Sequence, residues 1–315
     1  MVNALTPKHL AEKRAGFHEL FFDLIFVYAI QKIAHVILTT QNGSISADLF
    51  FKYIVMSLFL WLMWSHQTFF TNRFGQVTFK DVSFMMFNMF IMVFLSNSLY
   101  PDFEKTFFPF FLCVAIMYLS IGLQYLLHIR TGLDYGDKRT CQAFATVAFV
   151  ISFLSFLSLV LPQSIHYIPG FLGVFIAATG LIPFQKYLVL SPVNMMHLVE
   201  RFSLLTIIIF GEVLVGLASS SFSIDHFSYI FQFMILISLF GVYWIITENY
   251  INHKLSSIGF RLSYTHLLIN IALGVINAAI VFSNNNKLND LFEINMMYIS
   301  VLIFYIGLWL ITPYF

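Results

Sequence analysis

Two acids stand four residues apart in the apolar stretch HELFFDLIFVYAI (18–30): Glu19 and Asp23. Four residues is about one helical turn, so both carboxylates share a helix face. A charge at the bilayer centre costs about 2.5–3.5 kcal/mol even on the lenient insertion scale. A second charged stripe lies in HLVERFSLLTIIIFGE (197–212). There His197 and Arg201 are one turn apart, and Glu212 follows Arg201 by close to a whole number of turns. Glu200 adjoins Arg201. Carboxylates beside an arginine in low dielectric can relay a proton or coordinate a cation, because burial and charge pairing shift protonation equilibria. Glu19, Asp23, Glu200, Arg201 and Glu212 are therefore the candidate lining of an ion or solute path. His197, His66, Tyr264, His266 and Glu248 gather at the same side of the apolar layer and are its candidate supports.

Each residue also has a plainer reading. Glu19 suits a helix start, where an acid meets the dipole. Arg201 suits a structural counter-ion. His18, His66 and His197 suit polar helix interfaces better than metal ligands, and no metal site is expected. Catalytic signatures are missing as well: no phosphate-cradling glycine loop with lysine, no paired CxxC, no HExxH and no GxSxG. No nucleophile, base and orienting group stand together. The motifs point away from an enzyme, and the cofactor, if there is one, is unknown.

These residues must be held by membrane helices. The chain is 59% hydrophobic and 10% charged, with 39 Phe in 315 residues, against about 25% charged in soluble domains. The expected fold is an all-α integral membrane protein. A net charge of +1 gives no basis for nucleic-acid binding. Cys113 and Cys141 lie in apolar surroundings, so a disulfide framework is not expected. Runs able to cross about 30 Å of hydrocarbon fall near 17–38, 47–70, 82–99, 106–128, 141–161, 167–187, 197–218, 226–247, 259–282 and 291–312: about ten transmembrane helices. Eleven basic residues, Lys13, Arg73, Lys138 and Arg261 among them, fall on one side, and Lys52, Lys105 and Lys287 on the other. That asymmetry predicts a multi-pass protein with both termini cytoplasmic. The lipid bilayer is one partner and a small ion or solute the other; homo-oligomers are compatible with this layout.

A repeat is visible at an offset of about 180 residues. MYLSIGLQY (117–125) matches MYISVLIFY (297–305), Trp64 faces Trp244, Asn97 faces Asn277, and Glu19 faces Glu200. The order is kept over four helices. The chain then reads as a single membrane domain, 1–315, with repeat 1 over 17–128, two linking helices over 141–187 and repeat 2 over 197–312. Six spans separate the copies, so helices 1–4 and 7–10 form a parallel internal repeat.

Four motifs carry a family resemblance: ELFFDLIFVYAI followed by His35, NRF after a Trp-rich second helix, ERFSLLTIIIFGE, and YTHLLINIALGV. Together they resemble the bacterial low temperature requirement A family over nearly the whole chain, and Asp23, Glu200, Arg201 and Glu212 fall on its motif positions. Lys32 departs from an expected glutamine, and VYWIITE (242–248) is a degenerate Trp-Trp segment. The resemblance implies a bacterial plasma membrane location and no reaction. FFDLIFVYAI is also similar to a pore helix of a potassium channel family of bacteria and lysosomes. Phe22 and Leu204 replace residues that chemistry would need, so the similarity implies only that helices 1 and 7 face each other. The expected function is a transporter or channel with an acidic path between those helices. The alternatives are a non-transport protein binding lipid or an apolar cofactor in a sensor or cold-adaptation role, and a lipid-modifying membrane enzyme.

Overall fold

The computed structural model describes residues 13–40, 43–100, 102–129, 132–218, 228–283 and 288–315. Among them ten helical segments are long and apolar enough to cross a membrane. The spanning helices are α1 Phe17–Ala34, α2 Ala47–Arg73, α3 Phe79–Asn97, α4 Phe103–His128, α5 Tyr135–Val160, α6 Tyr167–Thr179, α7 Met195–Ala218, α8 Ser228–Asn249, α9 Phe260–Ser283 and α10 Asp290–Ile311. Each coincides with an expected apolar run. Several overshoot it: α2 continues to Arg73, α3 and α4 begin at Phe79 and Phe103, and α5 begins at Tyr135. Hydrocarbon sets the length of the apolar run, while the backbone ladder continues into the polar boundary.

Helix ends are capped by local chemistry. Ser46 Oγ accepts the Leu49 N–H at 3.3 Å, and Thr78 Oγ1 accepts the Asp81 N–H at 3.2 Å. At the far end of α2 the Lys13 ammonium donates to the carbonyls of Thr71 and Gly75, a cation on the negative end of the helix dipole. Arg73 then ties that end to two loops, donating to Ser191 O and Ile258 O, each at 2.9 Å.

The sixth span is not one helix. It stops at Thr179, turns through Gly180, and resumes as short pieces at Ile182–Phe184 and Gln185–Leu188. Pro183 cannot donate to the ladder, and the last carbonyls of α6 need other partners inside the apolar layer. Two side chains reach them: Tyr264 OH donates to Ala178 O, and the His66 ring hydrogen-bonds the backbone of Ala177.

α1 packs against α2, α3, α7 and α9; α3 packs on α4, and α4 on α5. α7 packs on α8 and α9, and α9 on α10. α9 is the most buried span, whereas α8 and α10 present most of their apolar side chains outward.

Candidate functional site

The polar core lies where α1, α2 and α7 meet. Its centre is Arg201, fully buried like Asp23 and His197, with Glu19 2% exposed. The guanidinium grips Asp23 in a bidentate fork: Nε donates to Oδ2 at 2.8 Å and Nη2 to Oδ1 at 2.6 Å. Nη1 donates to Glu19 Oε1 and to Thr71 Oγ1, both at 3.2 Å, and Nη2 also reaches Thr68 Oγ1 at 3.4 Å. Five N–H groups thus meet five oxygens, the full capacity of the side chain. Asp23 Oδ1 accepts a further bond from the Trp64 indole at 2.7 Å.

Glu19 both caps its helix and joins the ionic cluster. Its Oε2 accepts the Gly16 N–H at 2.8 Å, in the manner of a third-position helix acid, and lies 3.0 Å from His197 Nε2. The hydrogen-bond network assigns the proton on His197. Asn72 Oδ1 accepts the Asn194 N–H at 2.9 Å, which orients its amide so that Nδ2 donates to Asn194 O and lies 3.0 Å from His197 Nδ1. His197 Nδ1 therefore accepts, Nε2–H donates to Glu19, and the ring is neutral. The cluster holds two carboxylates, one guanidinium and one neutral imidazole. Lys13, beside it at the membrane boundary, supplies the next positive charge. Burial pulls the Lys13 amine below its ordinary value, against the attraction of Glu19.

The other expected residues fall outside this cluster. Glu200 turns to the chain start and accepts the Ala15 N–H at 2.9 Å. Glu212 is half-buried and Glu248 exposed, and neither has a polar partner among the described residues. His266 belongs to a second polar group, in which Nδ1 donates to Leu262 O at 2.9 Å and Nε2 accepts from Tyr243 OH at 3.1 Å. Phe202 separates the two groups, its ring 5.2 Å from Trp64 and 5.1 Å from His266. His66 and Tyr264 serve the break in α6. Trp64, Thr68 and Lys13 were not singled out as site residues by sequence reasoning; Trp64 and Thr68 lie one turn apart on the face of α2 toward α1 and α7, among other polar residues of that half-helix that face elsewhere.

A helical bundle with a sealed ionic cluster among three of its spans defines a polytopic membrane protein. The profile of the bacterial low temperature requirement A protein (LtrA) matches residues 14–315, and the chain belongs to that family. No curated protein and no solved structure matches it significantly.

Proposed function

We propose that this protein is a transporter of a small ion or solute, held here in an occluded state by the ionic lock between α1 and α7. The observation that carries the reading is the burial of Glu19, Asp23, His197 and Arg201 with nearly no accessible surface. Buried ion pairs are poor adhesives: apolar residues of similar volume often hold helices as well or better. Intramembrane charge is retained where it acts, and a set that can break and re-form is a two-position element. A proton offers the trigger. His197 accepts from Asn72, so a protonated ring loses that bond and draws Glu19 away from Arg201. The discontinuous sixth span adds support, since broken helices recur in transporters, where they build substrate and ion sites.

The parallel repeat belongs to this proposal. α1 meets α2 and α3 as α7 meets α8 and α9, and α3 meets α4 as α9 meets α10. α1 and α7 then form the seam, with the path opening between them and both ends of the chain in the cytoplasm. A second reading, lipid or apolar-cofactor binding, is favoured by a groove of about 530 Å3 between α3 and α4, walled by Phe79, Phe84, Phe87 and Leu119.

Flux decides between them. Proteoliposomes carrying an interior pH dye and an imposed proton, sodium or potassium gradient should show transport by the wild type. Asp23→Asn, with detergent melting as the folding control, should abolish it. Glu212→Gln, outside the lock, should reduce it only if Glu212 lines the opened path. No wild-type flux above empty liposomes for any of the three cations overturns the small-cation version, and undiminished flux in folded Asp23→Asn overturns the lock.

A further inference from the structure

The end of the bundle opposite Lys13 carries a second site, independent of the ionic lock. There the first turns of α2, α4 and α6 part around a cavity of about 370 Å3, a volume within the range of small-molecule sites. Its floor is three buried rings, with Phe59 edge-on to Phe110 at 5.1 Å and to Phe111 at 5.9 Å. Phe51 of α2 and Phe171 of α6 form the walls, their centroids 6.4 Å apart, and Tyr167 closes one side. Gly170 lets α6 approach this floor, because a Cβ there would collide with the Phe111 ring.

The rim is acidic. Asp48, Asp102 and Glu104 line it against one lysine, Lys52. Lys52 pairs with Asp48 at 2.7 Å; Asp102 pairs at 2.9 Å with Lys105, which lies outside the lining. Glu104 is exposed and has no ionic partner among the described residues.

We propose that this cavity binds an organic ammonium ion, its apolar body among the phenylalanines and its charge toward Glu104. Aromatic faces attract cations, most strongly those already shorn of tightly held water. An inorganic cation would lose hydration to a wall that is largely carbon, and an anion would meet an excess of carboxylate. The same chemistry is offered by a soluble quaternary amine and by the choline headgroup of a phospholipid at the membrane surface.

Titration calorimetry of the full chain separates these outcomes. The probe is choline, added to protein in phosphatidylglycerol nanodiscs, with 3,3-dimethylbutan-1-ol as its uncharged counterpart. Saturable binding of the ammonium alone is expected. It should weaken at least tenfold in Glu104→Gln and in Phe171→Leu, both exposed enough to leave the fold intact, with melting temperature as the check. Repeating the titration in phosphatidylcholine nanodiscs assigns the source: lost binding identifies the lipid headgroup as occupant, and retained binding identifies a soluble amine. Absence of saturable binding in phosphatidylglycerol, equal binding of the neutral alcohol, or unchanged affinity in both variants overturns the proposal. Because neither substitution touches Asp23 or Arg201, a negative result here leaves the flux experiment unaffected.

Discussion

Arg201 is the residue whose loss would be felt most. Arg201→Gln strands two carboxylates in a dry environment, and breaking such a pair typically costs about 3–5 kcal/mol. Asp23→Asn alone leaves Arg201 with Glu19 and two threonine hydroxyls, so its cost should be smaller. The double variant should recover part of the Arg201→Gln loss. Equilibrium unfolding in mixed micelles, read as a double-mutant cycle, checks this; strictly additive costs would show that the fork seen at 2.6 and 2.8 Å does not act as a unit. Lys13 yields a pH prediction. Its amine is lowered in the docked state, so the undocked segment binds more protons between the lowered value and 10.5. Docking must therefore strengthen as pH rises through that window. Hydrogen exchange at the Ala15 and Gly16 amides, corrected for intrinsic rate, should show protection growing toward alkaline pH. The central residues were legible because a charge in a 59% hydrophobic chain has no background to hide in. Lys13 was not: it precedes the first apolar run, and its partners are main-chain carbonyls some sixty residues away.

Helix by helix, the spans were readable because hydrocarbon thickness imposes one length on all of them. Interruptions within a span were not, since an apolar run looks the same whether its ladder is whole or broken. The signal for the sixth was the Gly180–Pro183 spacing inside TGLIPF, weak alone because neighbouring helices can rescue either residue. Apart from α1 with α7, the pairing of distant helices could not be read. α2 is tethered to α9 by Tyr53 OH, which donates to Ile271 O at 2.9 Å, and Gly274 leaves room for that ring. Gly274→Ala should cost about 1–3 kcal/mol by overpacking. Tyr53→Phe, which removes the hydroxyl and keeps the ring, should cost about 0.5–1.5 kcal/mol. Melting both in one detergent checks the order; a costlier Tyr53→Phe would place the tether in the hydrogen bond rather than the close approach.

For the whole molecule, orientation is the testable claim. Single cysteines near residues 75, 135, 190 and 255, in a background lacking the buried Cys113 and Cys141, should resist an impermeant thiol reagent applied to intact cells. Labelling of the site near 135 from outside would reverse the bundle and place the Asp48–Glu104 cavity inside the cell. Which helices meet was only partly visible in the repeat. Its matched residues do not share surroundings: Trp64 is buried on Asp23, whereas Trp244 is 54% exposed.

The sealed cluster of α1 and α7 should also answer temperature differently from the apolar packing around it. Within lipid, helices are held by close packing rather than by the exclusion of water, so cooling does not loosen their apolar contacts as it would in a soluble core. Ions differ. Their hydration carries a strongly negative entropy, so water competes better for Asp23, Glu19 and Arg201 as the temperature falls. A bundle fastened by dispersion stiffens in the cold, while the charged fastening between α1 and α7 should slacken there.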